Sequence, residues 1–297
     1  MTLSPMPSFV RLSWSLVLLS LFTSPAWSET RDLVIVAGQS NAVGFDATPS
    51  GLPVDARDKD VMFWFRVGDP PPDDHDSTSA RQWTTLCVQP QGQPMPRKAQ
   101  PRQYGNYTSR EGGFGPEMGF ARAWMAHAPQ PLAIVKAAFS GTGLRTDWDS
   151  SDSGKKGACY RALIDETRAA IIAAKEKGIE LNPKALIWVQ GESDANTEDA
   201  ANYEANLTAM LATLRRDLEV PKLIALIAVN TRFGNGKNPH VATVIAAQKA
   251  VAAKDDRSSY VDTEGAETLP PSHTHFTAAG TLEIGRRFAR ALQTVAP

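Results

Sequence analysis

The sequence predicts an α/β domain built on a parallel sheet covered by helices on both faces. Three observations carry this. Short, β-branched apolar runs alternate with longer amphipathic segments, the pattern of a parallel sheet with crossover helices. Residues 223–229, Leu-Ile-Ala-Leu-Ile-Ala-Val, are nearly all apolar, as in a strand buried on both faces. Three of the runs empty into glycine-containing turns, which places those turns on one edge of the sheet. No internal repeat and no dividing linker interrupts 29–297, so a single domain is expected.

The first strand is Leu33-Val34-Ile35-Val36, running into the turn Gly38-Gln39-Ser40-Asn41. A serine at the carboxyl end of a buried strand stands where open α/β sheets place ligand-contacting groups. Ser40 is a candidate nucleophile, with its own N–H as an oxyanion donor; a serine that only caps the next helix is the other reading. A second strand is expected at 61–65. Residues 68–107 are rich in Pro, Gln, Asp and Gly and read as an irregular insertion, either a groove-shaping loop or a surface excursion, with Trp83 and Cys87 arguing that part is packed.

Pro116 fits the first turn of a helix whose apolar positions 118, 120, 121, 124 and 125 share a face. A strand at 132–138 leads into a glycine turn at 139–144, where backbone N–H groups can form an anion-binding nest. Further helices are expected at 160–177, 197–218, 240–254 and 277–294, and strands at 184–189, 223–229 and 259–262. The strand at 184–189 discharges into Gln190-Gly191-Glu192-Ser193-Asp194, two carboxylates and a carboxamide at the same edge.

The chain has 297 residues and a formal net charge of −1, which gives no basic surface for nucleic acid. Arg11, the apolar run 16–22 and Pro25-Ala26-Trp27-Ser28 read as a secretory leader cleaved after Ser28, so 1–28 is expected to be removed and the mature protein to be secreted or periplasmic, without membrane insertion. In an oxidising compartment the two cysteines, Cys87 and Cys159, are expected to form one disulfide, with unpaired buried thiols as the alternative. Their surroundings and spacing suggest no metal site.

A serine hydroxyl needs a base. Of five histidines, His273 and His275 precede the last helix in a loop that follows a strand. Nucleophile first and histidine last is a chain order that catalytic triads use. Five blocks then point to a family. Gly38-Gln39-Ser40-Asn41-Ala42-x-Gly44, Gly115-Pro116-Glu117-x-Gly119-Phe120-Ala121, Lys136-x-Ala138-x-x-Gly141-Thr142-x-Leu144, Trp188-x-Gln190-Gly191-Glu192-Ser193-Asp194-Ala195 and His275-Phe276-Thr277-x-x-Gly280 resemble SGNH-type hydrolases, in the sialate O-acetylesterase and acetylxylan esterase branch of carbohydrate esterases.

The resemblance implies a flavodoxin-like three-layer α/β/α sandwich, no cofactor and no metal, and a serine-dependent acetylesterase acting on acetylated sugars. It implies Ser40 as nucleophile and His275 as base, an oxyanion hole from Ser40, Gly141 and the Gln190 side chain, and Gln39 and Asn41 as substrate-binding residues. The alternatives are an ester hydrolase of lipid or aryl substrates and a weakly active or non-catalytic carbohydrate-binding relative. One position departs from the pattern: the aspartate usually found three residues before the histidine is Ser272 here. Glu192 is the first expectation for the group that orients the imidazole, with Asp262, Glu264 and Glu267 as others. Oligomeric state is not legible.

Overall fold

The computed structural model describes residues 1–2, 29–71, 76–92, 107–127, 131–151 and 154–295. The expected leader, apart from its first two residues, and His75 lie outside them. The chain runs β1 (Glu29–Gly38), α1 (Ser40–Val43), β2 (Met62–Gly68), β3 (Ser77–Thr78), β4 (Thr84–Thr85), α2 (Pro116–His127), β5 (Leu132–Phe139), α3 (Ala158–Glu176), β6 (Ile179–Val189), α4 (Tyr203–Asp217), β7 (Ile224–Ala228), α5 (Pro239–Lys254), β8 (Ser258–Tyr260) and α6 (Ala278–Val295).

The sheet order is β3-β2-β5-β1-β6-β7-β8, with β4 also paired to β2. The pairs from β2 to β8 are parallel; β3 and β4 add antiparallel to β2. Within this, β5-β1-β6-β7-β8 is the flavodoxin order, second-first-third-fourth-fifth, with β2 appended outside β5. The order reverses at β1, between β5 and β6.

Period-two alternation builds the two cores. On β1, Leu33, Ile35 and Ala37 face one layer, while Val34 and Val36 face the other. The first layer holds α3, α4 and α5, including Leu163, Leu207 and Val244. The second holds α2 and α6, including Phe120, Ile284 and Phe288. Each fully buried side chain of this size contributes about 1.5–3 kcal/mol.

Three expectations change. The insertion is partly ordered sheet: β3 and β4 extend the β2 edge, and the Trp83 indole N–H donates to the Ala170 carbonyl at 3.0 Å while its ring meets Trp64. The helix expected from 197 begins at Tyr203, because the Asn196 side chain accepts from the Glu198 and Asp199 N–H groups and holds a turn there. The disulfide is absent. Cys159 lies in the α3 core and Cys87 packs against the α2–α6 core, so the sheet stands between the two sulfurs and they are not bonded to each other. Among the described residues no helix is long and apolar enough to cross a membrane.

Candidate active site

The three turns singled out in the sequence follow adjacent strands. Ser40 follows β1, Gly141 follows β5 and Glu192 follows β6, so they meet at the topological switch point, where open α/β sheets bind ligands. Gly38 makes the turn possible. Its φ is +136°, and a Cβ there would sit 2.1 Å from the Val189 carbonyl oxygen, so only glycine lets β1 end this close to β6. The next peptide bonds directly, Gln39 N–H to that carbonyl at 3.0 Å.

Helix α1 is a single turn. Gly44 ends it in the left-handed region, its N–H returning to the Ser40 carbonyl at 2.9 Å. The chain therefore doubles back over Ser40. Phe45 lays its ring against the His275 imidazole, centroids 4.9 Å apart, and Asp46 comes to the far side of that ring.

The result is a hydrogen-bonded series. His275 Nε2 lies 3.0 Å from Ser40 Oγ, and His275 Nδ1 lies 2.6 Å from Asp46 Oδ2. Burial pushes the Asp46 carboxyl up, but hydrogen bonds from His275 and Thr108, with the His275 charge, hold it below the usual carboxylate range.

Asp46 is the carboxylate that sequence reasoning missed. The signal was faint: an aspartate just beyond a glycine that can reverse the chain, near the serine. Glu192, expected here, is engaged elsewhere. Its Oε1 accepts from Asn41 Nδ2 at 2.7 Å and from the Asn230 N–H at 3.2 Å. Burial raises its carboxyl. Asp262 accepts from the Glu264 N–H, Glu264 accepts from Thr231, and Glu267 borders a separate cleft. Ser272 accepts from the Thr274 hydroxyl, and His273 bonds Thr268, so neither takes part in the series.

Asn41 is not a pocket residue either. It is buried, and its side chain bonds Glu192, the Thr274 carbonyl at 3.0 Å and the Phe276 N–H at 3.1 Å. Asn230 donates to the His273 and Thr274 carbonyls. Asn41, Glu192 and Asn230 together fix the loop that presents His275.

Gln190 also differs from expectation. It is fully buried, and its amide nitrogen donates to the Thr142 carbonyl at 3.0 Å and to Asp194 at 2.5 Å. Neither amide hydrogen is left for an oxyanion. Gln39 does border the cavity. Its side-chain oxygen accepts from the Gly191 and Ser193 N–H groups, which leaves the nitrogen end for a ligand. The cavity, about 260 Å³, is lined by Gln39, Ser40, Gly141 and His275 at its polar end and by Phe45 and Phe233 as aromatic walls.

Asp194 braces the Gly141 turn from beneath, accepting the Leu144 N–H on both oxygens at 2.9 and 3.0 Å. Burial pushes its carboxyl up to about 6. An unfolded aspartate gives up its proton near the ordinary 3.8 and the folded one only near 6. The native state therefore loses on the order of 3 kcal/mol of stability as pH rises through that window. Asp194→Asn removes this titration. In thermal melts its Tm difference from wild type is expected to shift in the variant's favour between pH 4 and 7; a difference independent of pH would refute the assignment.

A flavodoxin-ordered sheet with a hydroxyl, an imidazole and a carboxylate in series at its switch point defines the class: an esterase of the α/β/α type. The family model for "carbohydrate esterase, sialic acid-specific acetylesterase" matches residues 30–294. The chain belongs to that family. A protein of Arabidopsis thaliana named as a probable carbohydrate esterase is 28% identical over 188 residues, 62% of this chain and 65% of the relative, so the match spans just under two thirds of that relative. Among solved structures, an Arabidopsis thaliana protein superposes with a TM-score of 0.62 at 20% identity, covering 89% of this chain and 98% of its own. NanS gives 0.59 at 19% identity, covering 90% and 97%. A carbohydrate acetylesterase from Xanthomonas citri gives 0.59 at 18%, covering 90% and 56%. These structural likenesses show the shared fold.

Proposed function

We propose that the chain is an exported carbohydrate O-acetylesterase working through a serine acyl-enzyme. The observation that carries this is the unbroken series Ser40–His275–Asp46 opening into a small cavity. Ser40 Oγ attacks the acetyl carbonyl as His275 Nε2 takes its proton. Asp46 holds the ring with Nδ1 protonated and Nε2 free to accept. The tetrahedral oxyanion rests on the Ser40 and Gly141 N–H groups and the Gln39 amide; one such donor is worth about 3 kcal/mol of barrier. As the intermediate collapses and its bond to the sugar oxygen breaks, His275 gives its proton to that oxygen, and the sugar leaves as an alcohol. A water, activated by the same imidazole, releases acetate.

Family membership supports an acetylated sugar as substrate, and the leader-like sequence of the first 28 residues supports export. The cavity volume supports a short acyl group: Phe45 and Phe233 leave room for acetyl beside the sugar. Turnover of p-nitrophenyl esters is expected to fall steeply from acetyl to longer chains, with each activity lost in Ser40→Ala. A preference for long acyl chains would favour a lipid-type esterase. Absence of Ser40-dependent turnover would favour a carbohydrate-binding relative.

A further inference from the structure

The insertion ends at Tyr107, and the next residue, Thr108, touches the segment that carries both Ser40 and Asp46. The Thr108 N–H donates to the Phe45 carbonyl at 3.0 Å. The Thr108 hydroxyl lies within reach of that same carbonyl and of Asp46 Oδ1. It has one hydrogen to give. The carbonyl already has the backbone N–H, and a charged acceptor makes the stronger bond, so the hydroxyl hydrogen goes to the carboxylate.

The neighbouring residue is anchored in the core. The Tyr107 hydroxyl donates to Gln89 Oε1 at 2.8 Å, and the same oxygen accepts from Lys136 Nζ at 2.7 Å. Lys136 is fully buried, and its other hydrogens go to Glu117 and to the Val43 carbonyl at the end of α1. One network thus grips segment 40–46 at Val43 from below and at Phe45 and Asp46 from outside.

We infer that Thr108 is a positioning residue: through the Asp46 carboxylate, the insertion sets the orientation of the imidazole. The inference rests on Asp46 being the acid of the proposed function. It explains how a carboxylate on a short, partly buried loop holds one rotamer. Its Oδ2 is taken by His275 and its Oδ1 by Thr108, so neither oxygen turns freely to water. Two other carboxylates stand near the pair among the described residues: Glu192, which interacts with His275, and Glu267, which borders the cleft that Asp46 and Thr108 share.

The test uses Thr108→Val, Thr108→Ser and Asp46→Asn with p-nitrophenyl acetate. Thr108→Val is expected to lower kcat roughly tenfold, the scale of one charge-assisted hydrogen bond, with KM unchanged. The acid limb of its pH–rate profile is expected to move upward, because a carboxylate relieved of one donor holds the imidazolium more tightly. Thr108→Ser restores both. Thr108 is exposed, so the melt of each variant stays near wild type. Wild-type kcat and pH profile in Thr108→Val, with Asp46→Asn impaired, overturns the clamp alone. An active Asp46→Asn overturns the acid assignment and this inference with it. A loss in Thr108→Val that serine does not restore also overturns the clamp.

Discussion

Ser40→Ala is expected to abolish acetate release, a loss on the order of 10⁴-fold or more, with the thermal melt near wild type. The hydroxyl's hydrogen bond is to His275 Nε2, and the site lies at the end of a strand whose packing does not depend on it. Removing it deletes the atom proposed to form the acyl bond while the strand and core packing stay as they are. Acetate release from acetylated xylan and from O-acetylated sialic acid, measured beside the melt, separates the two effects. A variant that turns over at the wild-type rate would show that the acyl group is never carried on this serine.

Asp46→Asn is expected to cost on the order of 10³-fold in kcat, with little change in stability. The substitution keeps the shape and removes the charge. An amide nitrogen facing His275 Nδ1 would donate to it, which places the ring proton on Nε2, the wrong tautomer for taking the Ser40 proton. A carboxylate introduced at the position usual in the family, Ser272→Asp in the Asp46→Asn background, is not expected to restore activity, since the Ser272 side chain meets Thr274 and not the imidazole. Glu192→Gln and Asp262→Asn in otherwise wild-type protein provide the comparison. If Asp262→Asn proved as damaging as Asp46→Asn, the observed contact between Asp46 and the ring would not be the one that matters in turnover.

Much of this molecule can be read from its residues. Apolar alternation located the strands of the parallel sheet, and the blocks around 40, 141, 190 and 275 do converge on one rim. Ser40 and His275 were visible because each sits in a distinctive block beside a strand end. Asp46 was hidden, because little local marks it beyond a glycine two residues before it: its place against His275 comes from the one-turn helix and the reversal at Gly44, which are tertiary facts. Gln190 and Asn41 misled for the complementary reason. A carboxamide in a motif reads as a ligand-facing group, whereas here both amides are spent bracing the loops that carry other residues. The cysteines misled because pairing depends on which face of the sheet each one packs, and spacing does not reveal that.

The brief reversal after α1 has a consequence for how the centre comes together during folding. With hydroxyl and carboxylate on one short stretch of backbone, their separation is bounded by a single helical turn and the reversal that follows it. Only the imidazole must arrive from elsewhere, so assembly is a docking of two bodies in place of three. If Asp46 is the acid, Ser272 ahead of the histidine has no acid to supply, and its hydroxyl is used instead to accept from Thr274.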